Sequence, residues 1–316
     1  MAALAESIFG WLVRARARAY EQGRLGVARL PRPVISVGNL RVGGSGKTPT
    51  VIALGLELQR RGIRFDVLSR GYRRAHRGLA IATTGEEDVA LVGDEPKLMA
   101  ARLRAPVLVH PDRFRAGLEG ERRFVSQVHL LDDGFQHRQL YRQFDLVLVA
   151  PGDLEDRLLP AGRLREPMTA LARAQAVLWT GDADSLAAAR ETLQRCTAAP
   201  VFLGRKRALP LTAVPERAFA FCGLARPESF WATLKELQIL PVERRAFADH
   251  HAYTRRDLEG LRRAAQRAGA ESFVTTAKDA ARLPPGALTP LVVVEIEMEI
   301  PEISTLVDLA WERCQG

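Results

Sequence analysis

Residues 43–48 read Gly-Gly-Ser-Gly-Lys-Thr, directly behind the apolar run at 33–37. A β-like run, a glycine turn and a helix that starts at a lysine form one unit. That unit restricts the fold more than any other stretch of the chain. Glycines let backbone N–H groups close around phosphate oxygens without Cβ clashes. Lys47 is set to reach the β- and γ-phosphates and Thr48 to hold Mg²⁺, while the helix N-terminus adds its positive dipole end. The spacing of the full motif puts its first glycine at position 41, which is Arg41 here. The match therefore covers the second half of the motif. Arg41, Val42, Gly43, Gly44, Ser45, Gly46, Lys47 and Thr48 form the expected phosphate cradle.

The helix behind the loop is expected over about 47–61, with Pro49 tolerated in its first turn and Gly62 ending it. Apolar runs then recur at 65–68, 106–109, 128–131, 145–149 and 176–179, with helical stretches between several of them. Such alternation predicts an α/β fold: a P-loop NTPase-like, mostly parallel sheet with helices on both faces. A second set follows, with β-like runs at 219–222, 241–247, 272–275 and 291–294 and helices at 227–237 and 255–268. It predicts a smaller α/β domain over 206–316, joined to the loop-bearing domain at 26–205 by a hinge at 204–210.

With 47% hydrophobic and 26% charged residues, the composition is that of a soluble globular protein. The formal charge is +9. Lysine occurs only at Lys47, Lys97, Lys206, Lys235 and Lys278, so the excess is arginine, which suits contact with phosphates or an anionic membrane. There is no zinc-ligand spacing, aromatic RNA-binding signature or long basic tail, and no nucleic-acid partner is expected. Cys196, Cys222 and Cys314 are far apart and odd in number, so a reducing compartment fits. No apolar run reaches the roughly 18 residues of a membrane-spanning helix.

Residues 1–25 stand apart. Leu4, Ile8, Trp11, Leu12, Ala15 and Ala19 share one helical face, flanked by Arg14, Arg16 and Arg18. Two readings fit this pattern: an interfacial helix with its apolar side in the acyl boundary and its arginines at the headgroups, or a helix docked on its own domain.

Several constellations sit where strands end, the edge at which a parallel sheet binds ligands. The run at 128–131 ends in Asp132 and Asp133, carboxylates suited to Mg²⁺ beside a phosphate loop. Gly93-Asp94-Glu95-Pro96 puts two acids before a helix, as caps or as a proton acceptor. Asp249-His250-His251 offers an acid–imidazole pair, and residues 159–167 combine glycine, prolines and arginines that suit a phosphoryl transition state. Ser69-Arg70-Gly71-Tyr72 and Thr275-Thr276-Ala277-Lys278-Asp279 end two further runs.

Taken in order, these segments resemble the tetraacyldisaccharide 4'-kinase family of lipid A biosynthesis. The matching stretches are 37–40 leading into 43–49, then 69–72, 93–96, 132–137, 158–162, 165–167, 247–251 and 275–279. The resemblance implies an ATP- and Mg²⁺-dependent phosphotransferase. Its substrate would be the 4'-hydroxyl of a tetraacyldisaccharide 1-phosphate, at the cytoplasmic face of the bacterial inner membrane. It further implies two α/β domains closing over a cleft and a peripheral membrane helix at the N-terminus. Carried onto this sequence, the catalytic residues are Asp94 and His250, with Asp133 and Arg165, and His251 as a substitute for His250. The Mg²⁺ ligands are Thr48, Asp132, Asp133 and Glu166. Arg163 stands where the family often has proline; a missing first glycine in the loop is common there. The competing class is a membrane-recruited P-loop ATPase switch of the partitioning type, which carries a lysine where this chain has Val42.

Overall fold

The computed structural model describes residues 2–316 apart from residue 73. Helix α1 (Ala2–Glu21) opens the chain, β1 (Val34–Asn39) enters, and α2 (Lys47–Arg60) leaves from the glycine loop. Then come β2 (Phe65–Ser69), β3 (Ala80–Ala82), α3 (Val89–Val92), α4 (Asp94–Leu103), β4 (Val107–Val109), α5 (Arg113–Arg123) and β5 (Val128–Asp132). β6 (Phe144–Val149), β7 (Ala176–Trp179), α6 (Ala183–Cys196) and β8 (Val201–Leu203) complete the first sheet. Its order is β3-β4-β2-β5-β1-β6-β7-β8, parallel throughout except that β3 runs antiparallel to β4. Every residue of β1, β2, β5 and β6 is buried, as strands covered on both faces require. The chain winds outward from β1 in both directions. The ends of β1 and β5, paired at Val37 and Asp132, therefore open onto one crevice.

The second unit holds β10 (Ala218–Cys222), α7 (Pro227–Glu236), β11 (Glu243–Ala246), α8 (Arg255–Arg267), β12 (Ser272–Thr276), α9 (Ala277–Ala280) and β13 (Leu291–Val294). Its sheet is parallel, in the order β11-β10-β12-β13. Between the two units β9 (Arg205–Ala208) pairs antiparallel with β14 (Ile296–Glu299). The stretch expected as a hinge is thus a two-stranded ribbon, with the chain crossing outward on one strand and back on the other.

After that return, helix α10 (Ile303–Gln315) packs on the first unit. Met298, Ile300, Leu306, Val307 and Ala310 share one core with Val51, Leu54 and Leu58 of α2, with Met99 and Leu103 of α4, and with Ile35 and Val37 of β1. Each large apolar side chain so buried contributes about 1.5–3 kcal/mol. This packing departs from a single division at 206, because the last turns of the chain belong to the larger core. The 303, 306, 307 and 310 spacing is the helical stripe that this packing buries.

Below the sheet, at the end away from the crevice, β2 and β5 bury a charged trio. His129 Nδ1 lies 2.6 Å from Asp66 Oδ1 and its Nε2 3.2 Å from Glu121 Oε1 on α5. His129 and Asp66 are fully buried. Burial opposes a charged imidazole, but the hydrogen bonds and charges of Asp66 and Glu121 outweigh it and raise the pKa of His129. A folded-state pKa raised above the unfolded one gives stability that is fully present below the unfolded value of about 6.5 and lost as pH rises through the folded value. Thermal unfolding of the purified protein from pH 6 to 9 should show this decline. His129→Asn should flatten that slope and destabilise the fold by about 3–5 kcal/mol, because Asp66 loses its buried partner. An unchanged slope in His129→Asn would refute the assignment.

Candidate active site

The glycine loop owes its shape to Gly46, which caps α2 at φ 102°, a left-handed value that favours glycine. Gly43 and Gly44 have nothing within 4 Å of a Cβ position, so the outer face of the loop is open. Gly38 serves differently. A Cβ there would meet the Phe135 backbone nitrogen at 2.8 Å, so only glycine lets the segment after β5 close against β1.

Three polar clusters converge on this loop. In the first, Lys47 Nζ lies 3.5 Å from Asp133 Oδ1 and donates to Asn39 Oδ1 at 3.3 Å. Arg165 grips Asp133 with two nitrogens, at 2.8 and 3.1 Å, and also donates to the Asn39 carbonyl. Asp133 has φ 51°, an unusual value for a residue other than glycine and one that aspartate tolerates better than most. Burial works against its charge, yet Lys47 and Arg165 hold its carboxyl far below the usual range.

The adjacent Asp132 is tuned the other way. Burial, then the negative charges of Glu95 and Asp133, push it up to about 7 despite Lys47 and a hydrogen bond from Ser69 Oγ at 3.1 Å. Its Oδ1 is buried without a partner among the described residues, as is Ser45 Oγ. Thr48 is buried at the first turn of α2. Hard oxygen donors, one of them orphaned beside a phosphate loop, fit Mg²⁺, which takes few protein ligands and completes its shell from water and phosphate. Among the described residues no three His, Cys, Asp or Glu side chains form a closed metal cage.

The second cluster joins the two units. Asp94 starts α4 behind Gly93, and its Oδ2 lies 3.1 Å from His250 Nδ1. Arg282 Nε donates to the same oxygen at 3.0 Å and its Nη1 to Asp279 Oδ1 at 3.2 Å. Burial opposes ionisation of Asp94, but His250 and Arg282 hold its carboxyl well below the usual range. A carboxylate only accepts, so His250 Nδ1 carries the proton and donates it to Asp94, the tautomer that leaves a lone pair on Nε2. His250 also has positive φ, 58°, and meets the Tyr72 ring edge-on at 5.6 Å. His251 turns away. It stacks on Phe247 at 4.7 Å and bonds Asp257 at 3.1 Å, inside the aromatic cluster of the second unit. Of the two adjacent histidines, only His250 contacts Asp94 among the described residues. Beside them Lys278 pairs with Glu95, whose charge raises the pKa of the lysine against burial.

The third cluster lies on the other flank of the loop. Arg41 Nη1 pairs with buried Asp153 at 2.9 Å, and Val42 N–H donates to the Arg163 carbonyl at 2.9 Å. Both oxygens of Glu166 have protein partners: Arg173 at 2.9 Å and Gln136, which donates at 3.0 Å. The side chains of Arg41 and Glu166, expected on nucleotide and metal, are thus engaged within the protein.

Two buried arginines escaped the sequence reading. Arg282 lies three residues past the Thr-Thr-Ala-Lys-Asp stretch and touches both members of the Asp94–His250 pair. Arg113, at the start of α5, is pushed down to about 10 by burial and by Arg70, against the pull of Asp133 and Asp132. In a chain this rich in arginine, neither position carries a sequence signal.

Comparison with known proteins finds relatives over nearly the whole chain. A family model described as Tetraacyldisaccharide-1-P 4'-kinase, LpxK, matches residues 2–312. A tetraacyldisaccharide 4'-kinase of Koribacter versatilis is 39% identical over 316 residues, covering 96% of this chain and 95% of the relative. One from Geobacter metallireducens is 39% identical over 295 residues, covering 86% and 85%. The crystal structure of LpxK from Aquifex aeolicus in complex with ATP superposes with a TM-score of 0.80 at 31% identity, covering 99% of this chain and 98% of that one. A match over nearly the whole length, at this identity and with the same fold, means that the chain belongs to the tetraacyldisaccharide-1-P 4'-kinase family.

Proposed function

We propose that the site transfers the γ-phosphoryl group of ATP to the 4'-hydroxyl of a tetraacyldisaccharide 1-phosphate, with Asp94 and His250 as the base. The observation that carries the reading is the contact of Asp94 from one unit with His250 from the other, beside the Lys47–Asp133–Arg165 cluster. A sugar hydroxyl is a poor nucleophile, and His250 Nε2 accepts its proton while Asp94 stabilises the imidazolium that forms. Lys47, free to swing from Asp133 to a phosphate, neutralises charge on the migrating group, and Arg165 keeps Asp133 in place as it does so. The chemistry Mg²⁺ would supply here is neutralisation of charge on the phosphates. Thr48 and Asp132 would hold the ion, with Asp133 close by; Glu166 acts through Gln136, which it shares with the Asn39 carbonyl. Closure of the second unit over the loop keeps water from the phosphoryl group.

The N-terminal helix supports a lipid substrate. Glu6 pairs with Arg157, and Arg16 donates to the Gln136 carbonyl at 3.1 Å, so α1 is docked by one side. Leu4, Ile8, Trp11 and Leu12 face outward, from 53% to 69% exposed. The two readings of this helix are therefore compatible: one side docks and the apolar side meets the acyl boundary at the cytoplasmic face of the inner membrane. Among the described residues no helix is long and apolar enough to cross a membrane, so attachment would be peripheral.

Transfer of labelled γ-phosphate to a purified tetraacyldisaccharide 1-phosphate tests the reaction. Lys47→Ala should lower turnover by about 10²-fold or more. Asp94→Ala and His250→Ala should each lower kcat strongly, with a double variant little worse than either, because groups acting as a unit are non-additive. His251→Ala should spare kcat. Multiplying losses, or a folded Lys47→Ala protein at normal turnover, would overturn the reading.

A separate measurement addresses the helix. Replacing Trp11 and Leu12 together by Gln removes apolar surface that contacts no core, so the melting temperature should hold. Co-sedimentation with anionic vesicles should fall about tenfold or more, and the apparent KM for vesicle-embedded substrate should rise. Undiminished sedimentation would exclude the interfacial role.

A further inference from the structure

Lys206 sits on the ribbon between the two units, yet it is aimed at the phosphate loop. Successive side chains of a strand alternate between faces. Lys206 pairs in register with Met298, and these two residues press on Gly46: a Cβ there would meet Met298 Cε at 2.7 Å and Lys206 Cε at 2.8 Å. The neighbouring Arg207 projects from the opposite face, where Glu299 lies 3.5 Å away. Lys206 alone of the β9 cations therefore reaches the loop, and its Nζ donates to the Gly44 carbonyl at 3.3 Å.

The surroundings of this ammonium are one-sided. Among the described residues no carboxylate lies within ion-pair distance of it. The charged groups facing it are Arg41 and Lys47 of the loop, Lys278 from α9 and Arg226 before α7. Partial desolvation and repulsion by these four cations push its pKa down to about 8, although the residue keeps exposed surface. Arg41, Lys47 and Lys278 each have a carboxylate partner, Asp153, Asp133 and Glu95, whereas Lys206 has only a carbonyl among the described residues. An unpaired ammonium among cations costs stability and is sustained where an anion completes the site. The loop itself carries one lysine, and its Val42 adds no charge.

We propose that Lys206 is a second phosphate-binding lysine, supplied to the glycine loop by the inter-unit ribbon, which clamps the phosphate chain of the nucleotide opposite Lys47. This rests on the kinase reading above and adds a ligand that the loop motif does not contain. In place of the Gly44 carbonyl, Nζ would donate to a phosphate oxygen, a charge-assisted bond stronger than the one it replaces.

Calorimetry on the full-length protein tests it, with a non-hydrolysable ATP analogue and AMP as probes. Lys206→Met should weaken the triphosphate about tenfold or more and AMP much less, and Lys206→Arg should restore most of the affinity. Binding to the wild type should also weaken as pH rises past 8, where the free amine must take up a proton, and this dependence should vanish in Lys206→Met. Wild-type triphosphate affinity in Lys206→Met would overturn the proposal and leave the kinase reading intact. Equal weakening of both probes, with no recovery in Lys206→Arg, would mark a merely structural lysine and overturn it too. A folded wild type that bound no triphosphate would overturn the kinase reading and this proposal with it.

Discussion

The arrangement turns on one buried carboxylate. Asp94 is 4% exposed and would be costly to keep charged without partners. Its partners, His250 and Arg282, come from the other unit. Neutralising Asp94 therefore requires the two units to meet, and Arg282 passes the constraint on to Asp279, which also accepts from Gly223 N–H and the Tyr253 hydroxyl. The same bonds that satisfy a buried charge hold the His250 imidazole at the junction of the two units. Geometry for chemistry and cohesion between units are here one set of interactions.

Asp132 and Asp133 show how neighbouring carboxylates are separated by environment. The backbone turns through a left-handed conformation between them, so their side chains reach different surroundings. Asp133 lies between two cations, whereas Asp132 has an uncompensated burial and a nearby acid. One is held as an anion; the other gains its charge most readily when a cation arrives. Such divergence of like groups is a common sign of divided roles in an active site.

Much of this was readable in the sequence, for identifiable reasons. Strands buried on both faces need continuous apolar runs, so β1, β5 and β6 stood out, and the glycine loop fixed the direction of the sheet. The ribbon was not readable. Arg205-Lys206-Arg207 is a run of cations that points charge to both faces, so the strand leaves no hydrophobic period. The placement of α10 was missed because an amphipathic stripe does not say which of two cores it covers. At the site, Asp94 and His250 lie in contact, since motifs at strand and helix ends inherit their position from the fold. Arg41 and Glu166 did not keep free side chains, because ion pairing with Asp153 and Arg173 depends on residues far away in sequence. The N-terminal helix docks by one side and leaves Leu4, Ile8, Trp11 and Leu12 exposed, so the amphipathic pattern alone did not choose between its two readings.

The return of the chain through β14 into α10 has a consequence for biosynthesis. α10 packs on α2, β1 and β6, and these segments leave the ribosome about 160 to 270 residues earlier. Until α10 has been made, the apolar surface reserved for Leu306, Val307 and Ala310 stays uncovered. The phosphate loop, which is anchored on α2, thus rests on an incomplete foundation while the second unit can already have closed its own sheet. A nascent chain of this kind should need chaperone cover until α10 docks, and it should acquire its ability to hold a ligand only then.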